Sequence, residues 1–83
     1  MEWEDAVITA FVLIQTQVGK LGDVAREAAR IPGVLSADGV TGPYDVIVRA
    51  EGNSLDELAQ LVVVRIQEIE GVTRTLTCTV VLL

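Results

Sequence analysis

The sequence predicts an α+β fold, a four-stranded antiparallel sheet with two helices on one face, and two observations carry that prediction. The first is an internal repeat. Ile31-Pro32-Gly33-Val34 returns as Ile69-Glu70-Gly71-Val72, 38 residues on, and the same shift lays Ile8, Ala10 and Val12 on Val46, Val48 and Ala50. It also sets Leu21, Val24 and Ala28 beside Ala59, Val62 and Ile66. The second is that the apolar period changes within each copy, from a strand-like run to helical spacing and back to a strand. A β-α-β unit used twice is a small two-layer sandwich, and each element can be justified in turn.

Residues 6–15 carry Val7, Ile8, Phe11, Val12, Leu13 and Ile14 with little alternation, the mark of a central strand covered on both faces. Between Gly19 and Arg30 the residues Val18, Leu21, Ala25 and Ala28 fall at three- and four-residue steps, one stripe of a helix that Pro32 and Gly33 stop. Val34 to Thr41 is a weaker strand because Ser36, Asp38 and Gly39 interrupt it, and it reads as an edge strand with a bulge at the Asp-Gly pair. After the Gly-Pro turn, Tyr44, Val46, Val48 and Ala50 alternate with Asp45, Ile47 and Arg49, a two-residue period. Ser54 with Glu57 three residues later forms a capping box, opening a helix whose buried stripe is Leu55, Leu58, Val62, Ile66 and Ile69 and which Gly71 ends. In the last run Thr73, Thr75, Thr77 and Thr79 share one face and Leu76, Cys78, Val80 and Leu82 the other. With right-handed crossovers the order βαββαβ is the ferredoxin-like plait. Residues 1–5 read as a tail and 6–83 as the domain.

Helices on one side leave the other side of the sheet bare. Four strands about 4.8 Å apart and about six residues long present roughly 400 Å², worth about 10 kcal/mol gross at about 25 cal/mol/Å² if wholly apolar. Association costs about 4–15 kcal/mol, so a face-to-face dimer, packed as in the dimeric α/β barrels, calls on further contacts such as exchanged strands or ring neighbours.

Composition narrows the function. A chain of 83 residues makes one domain, of a size that buries only about 60% of its unfolded surface, and a partner helps. Six basic residues stand against twelve acidic, a net charge of -6, which argues against independent nucleic-acid binding, since that affinity comes largely from neutralised phosphates. The acidic start and the short apolar run after it fit neither an export signal nor a membrane span. The single cysteine, Cys78, makes no internal disulfide, and a cytoplasmic location is expected. Histidine is absent, which removes the commonest general base and metal ligand together, and no metal or cofactor is expected. Cys78 reads as a buried small hydrophobe with no base to activate it. Trp3 reads as part of the tail or of a subunit contact. Asp56 and Glu57 suit the positive end of a helix and need no catalytic role.

Thr41-Gly42-Pro43-Tyr44-Asp45 concentrates unusual backbone and polar side chains between two strands. Gly42 lets a ligand approach the main chain, Pro43 fixes one torsion, and Asp45 offers a carboxylate to an ammonium group, parts suited to a zwitterion. The competing reading is a plain turn, with Tyr44 packing and Asp45 accepting local amide hydrogen bonds. On these residues alone the turn reading is the stronger. Thr75 and Thr77 offer hydroxyls, and they are equally ordinary occupants of a half-exposed strand.

Ala-Phe-Val-Leu-Ile at 10–14, Ile-Pro-Gly-Val at 31–34, Thr-Gly-Pro-Tyr-Asp-Val-Ile-Val at 41–48 and Gly-Val-Thr-Arg-Thr-Leu-Thr at 71–77 together resemble the effector domain of the Lrp/AsnC, or feast/famine, transcription regulators. That resemblance, over about residues 6–82, implies a domain that dimerises through its sheet, with dimers joining into rings that bind small effectors, usually amino acids, between them. It also implies an effector site of Gly42, Tyr44 and Asp45 with Thr75 and Thr77, the threonines coming from a neighbouring subunit. Full-length members carry a helix-turn-helix before this domain, which these residues do not supply. The expectation is a stand-alone, non-enzymatic amino-acid-binding module that acts on transcription indirectly, through mixed assemblies with full-length relatives. The rivals are an ACT-like sensor with sheets side by side, a dimeric α/β-barrel enzyme with a polar pocket between sheet and helices, and an oligomerisation module without a ligand.

Overall fold

The computed structural model describes residues 7–82. Along them run β1 (Ile8–Thr16), α1 (Leu21–Ala29), β2 (Val34–Gly39), β3 (Val46–Gly52), α2 (residues 55–67) and β4 (Val72–Thr79), the predicted order. The expected tail with Trp3, and residues 6 and 83 at the expected domain limits, lie outside the described residues. The strands form one antiparallel sheet in the order β2-β3-β1-β4, so β1 is central and β2 is an edge, as expected.

The core follows from the register. Ala10, Val12 and Ile14 of β1 sit opposite Ala50, Val48 and Val46 of β3, and all six are buried with Val24 and Ala28 of α1 and Leu58, Val62 and Ile66 of α2. Each of the larger side chains contributes about 1.5–3 kcal/mol by leaving water. The layer between sheet and helices is aliphatic throughout, with no buried polar residue among the described residues.

The repeat holds down to single hydrogen bonds. Gly33 and Gly71 have φ of 100° and 101°, a left-handed backbone that glycine adopts without strain. After each, the chain turns back alike: the Val34 amide donates to the Ile31 carbonyl at 3.0 Å and the Val72 amide to the Ile69 carbonyl at 3.2 Å. A Cβ on Gly33 would lie 3.2 Å from Val62 Cγ2, and one on Gly71 would lie 3.3 Å from Val24 Cγ2. Each half's glycine thus packs against the other half's helix.

The capping box forms with a shift. The Glu57 amide donates to Ser54 Oγ at 3.0 Å, while Glu57 Oε1 accepts from the Asn53 amide, one residue before the cap, at 2.6 Å. Midway through α2 the turn Ala59–Val63 widens to π-helical bonding, with the Val64 amide donating to the Ala59 carbonyl, a local irregularity of the kind often found as a single turn.

Several expectations are corrected. Val18 is fully exposed, since α1 begins only at Leu21 and Val18 lies in the preceding turn. Leu21 and Leu55 are 36% and 59% exposed; Leu21 lies against Gly39 at the sheet edge, and Leu55 lines a shallow apolar cleft with Val7, Ile8 and Leu82. The bulge in β2 falls between Val34 and Ser36, whereas Asp38 and Gly39 pair regularly with Ile47 and Val46. Val34 and Ala37, three residues apart, both sit opposite buried β3 residues, Ala50 and Val48, and only an extra residue lets both face the helices.

β1 is covered on one face within a single chain. Phe11 and Leu13 are half-buried on the helix-free side, beside Ile47 of β3 and Leu76 and Cys78 of β4. Cys78 is therefore exposed, not buried as expected, because its partner in register, Phe11, points away from the helices. Thr75, Thr77 and Thr79 pair with Ile14, Val12 and Ala10 and so take the helix side of the edge strand. No helix of the described residues is long and apolar enough to cross a membrane.

Candidate functional site

β1 delivers two polar residues, Gln15 and Thr16, at the end of its apolar run, and β3 starts beside them. The loop between β2 and β3 closes on itself where the Val40 amide donates to the Asp45 carbonyl at 2.9 Å, and the Asp45 amide donates to the Ile14 carbonyl at 2.8 Å. Gln15 Nε2 donates to the Pro43 carbonyl at 3.0 Å. Asp45 Oδ2 accepts from the Thr16 amide at 2.8 Å and from Thr16 Oγ1 at 3.3 Å. These bonds fasten residues 40–45 to the end of the central strand.

The fastened loop forms one wall of an open cleft of about 420 Å³, lined by Leu13, Val40, Thr41, Gly42, Pro43, Tyr44 and Ile47. Leu13 and Ile47 belong to the helix-free face, so the cleft is continuous with it. Gly42 has φ 145°, and a Cβ built there would meet nothing within 4 Å. Its backbone is open to a ligand on that side. Tyr44 is half-buried in the same lining. The chemistry on offer is apolar walls, exposed main-chain polar groups, one phenol and a neighbouring carboxylate, a set suited to holding a small amphiphile.

Thr75 and Thr77 lie elsewhere. Paired with Ile14 and Val12, they share the side of the sheet that carries the helices, and Gln67 Nε2 of α2 donates to Thr75 Oγ1 at 3.2 Å. Within one chain the sheet itself separates them from Gly42 and Tyr44. Of the five expected residues the structure gathers Gly42, Tyr44 and Asp45 at one loop and leaves the two threonines on β4. Asp45 is half-buried and already holds Thr16, a structural bond that reaches across to β1 and is not the local amide bond that the turn reading assigned to it.

Gln15 and Thr16 were not among the expected site residues. Their signal in the sequence is slight: two polar residues closing an apolar strand become meaningful only once the pairing of Ile14 with Val46 is known. Among the described residues no three His, Cys, Asp or Glu side chains are grouped to hold a metal ion. The space between sheet and helices is filled, among the described residues, by aliphatic side chains, with no buried polar residue.

Comparison with known proteins adds to this geometry. The family model described as the Lrp/AsnC ligand-binding domain matches residues 9–82. The uncharacterised helix-turn-helix-type transcriptional regulator PH1916 of Pyrococcus horikoshii is 33% identical over 72 residues, 83% of this chain and 48% of the relative. This chain spans about half the length of that curated relative. The crystal structure of TTHA0845 from Thermus thermophilus superposes with a TM-score of 0.85 at 34% identity, covering 92% of this chain and 95% of that one. The transcriptional regulator NMB0573 of Neisseria meningitidis, solved as a complex with L-Met, gives a TM-score of 0.77 at 22% identity over 89% of this chain and 49% of its own, a likeness of fold alone. With the family model spanning both helices and all four strands, this chain belongs to the Lrp/AsnC ligand-binding domain family.

Proposed function

We propose that this domain binds an amino acid or a closely related zwitterion in the cleft beside Gly42 and Tyr44, at a site completed by a second copy, and that binding biases how copies assemble. The observation that carries this reading is the cleft itself: an exposed glycine backbone stands at the margin of the apolar Leu13 and Ile47, and the Asp45 carboxylate follows next in the chain after the Tyr44 of its lining. Main-chain amides near Gly42 receive the carboxylate of the ligand. Asp45 holds its ammonium through the oxygen that Thr16 does not use, an ionised carboxylate having more acceptor sites than two bonds fill. Thr75 and Thr77 reach the ligand from a neighbouring copy, since the sheet keeps them away from the loop of their own chain. The L-Met bound to the Neisseria protein supports the choice of ligand class.

The helix-free face supports assembly, because it leaves Phe11, Leu13, Ile47 and Leu76 only partly covered in one chain. The regulatory family supports a role in transcriptional response, by co-assembly with relatives that read DNA, and with it a non-enzymatic, cytoplasmic module. Such regulation requires that the ligand bind one assembly better than another, since equal affinity shifts nothing.

A thermal-shift screen of the twenty amino acids, with native mass measured in parallel, tests the proposal. A true ligand at about 100 times its dissociation constant stabilises by about 2.7 kcal/mol, which in a domain of this size raises Tm by roughly 10 °C or more. A screen in which no amino acid moves either Tm or mass counts against the reading. A structure of the assembly with sheets paired side by side moves it to the ACT-like alternative.

A further inference from the structure

The helix-free face holds a guanidinium, that of Arg49, which a purely apolar contact does not accommodate. Arg49 sits in register with Phe11 on β1 and Ser36 on β2, and its guanidinium carbon lies 6.0 Å from the centre of the Phe11 ring. Two rows cross the sheet here: Cys78, Phe11, Arg49 and Ser36 make one, and Leu76, Leu13, Ile47 and Asp38 make the other. Each row is apolar at the β4 end and polar at the β2 end.

A cation resting on an aromatic ring is stable at a wet surface. Covered by another protein surface it loses its water, and the loss is offset only where a carboxylate takes the place of that water. The same face carries two carboxylates, Asp38 opposite Ile47 and Glu51 opposite Thr9, and a second cation, Arg74 opposite Gln15. Among the described residues these groups balance two against two, and the Asp45 carboxylate at the margin of the face, already bonded to Thr16, makes three carboxylates against two cations, far nearer neutrality than the -6 of the whole chain. A nearly neutral, partly apolar face on a strongly acidic chain suits a second copy of that chain, which any face sharing the overall charge would repel.

With a second copy covering this face, as the assembly reading has it, we propose that Arg49 of each copy pairs with a carboxylate of the other, Asp38 or Glu51, which makes Arg49 the residue that decides which chains pair. The inference rests on the assembly reading above and adds its selectivity. A two-fold contact uses the same patch from both sides, so every such pair forms twice. A partner lacking the acid leaves guanidinium groups covered and unpaired. Charges placed this way discriminate between partners more than they tighten the favoured one.

Charge exchange tests it. Two chains are made, one with Arg49→Glu and one with Asp38→Arg and Glu51→Arg together, and circular dichroism checks that each folds. Sedimentation and native mass then read pairing against the wild type. Each altered chain alone pairs at least about 30-fold more weakly, and an equimolar mixture recovers a mixed dimer. Arg49→Gln, a milder change that serves if reversal unfolds the chain, weakens pairing and reduces its dependence on salt. If the wild-type chain is monomeric at high concentration, the assembly reading falls and this inference with it. If the wild type pairs and both Arg49 variants pair as tightly, the role of Arg49 alone is overturned. If both altered chains are weakened and their mixture stays unpaired, the assignment of Asp38 and Glu51 is overturned.

Discussion

Asp45 carries two demands on one carboxylate. Its Oδ2 holds the Thr16 amide and hydroxyl, while the proposed ligand contact needs its charge. Two substitutions separate the demands. Asp45→Asn keeps an oxygen for the Thr16 amide and removes the charge; it is expected to lower the affinity of a confirmed ligand about tenfold or more, with the free chain melting nearly as before. Asp45→Ala removes the acceptor as well, and should also destabilise the free chain by about 1–2 kcal/mol. Undiminished ligand affinity in the Asn variant, by calorimetry, would confine Asp45 to its structural bond. That Gly42, Tyr44 and Asp45 share one loop was legible in the sequence, their residue types being unusual between two strands, while their part in a ligand site came from the family resemblance. Gln15 and Thr16 were not legible, because their part depends on which strand end meets the loop, and the register that decides this is a long-range property.

At the scale of the elements, the repeat made the fold readable: two copies of the same apolar spacing place the same side chains inward, and Val24, Val62, Ala28 and Ile66 are all buried. Where the periodic reading failed, it failed at ends and edges. Val18, Leu21 and Leu55 fit the helical stripe by spacing, yet burial is decided by whether the sheet extends beneath them. Cys78 alternates faultlessly with its threonines, and alternation alone does not say which face the helices cover. The glycines that end each repeat are more than stop signals. A Cβ on Gly71 would lie 2.8 Å from Lys20 Cβ and 3.3 Å from Val24 Cγ2. Gly71→Ala combines that crowding with a left-handed backbone, and is expected to cost about 2–4 kcal/mol, read by urea denaturation. A loss under about 1 kcal/mol would show that the neighbouring helix shifts to relieve the contact.

The whole molecule has a filled interior and an unfinished exterior. Among the described residues, thirteen buried apolar side chains fill the space between sheet and helices, while the opposite face of the sheet leaves Leu76 47% exposed beside the half-buried Phe11 and Leu13. If copies cover that face, melting is coupled to association, and Tm should rise with chain concentration over a hundredfold dilution series. A Tm independent of concentration, at concentrations spanning the dissociation constant for self-association, would mean that folding draws nothing from a partner. The crossed contacts of Gly33 with Val62 and Gly71 with Val24 bear on this too. They join the two halves as a pair of half-length subunits would be joined, through reciprocal packing that owes nothing to the tip of the segment linking them. Thr41, Gly42 and Pro43 are thus spared any share in holding the interior, and substitutions at Thr41 or Pro43 are expected to change affinity at the proposed ligand site while the scaffold stays intact.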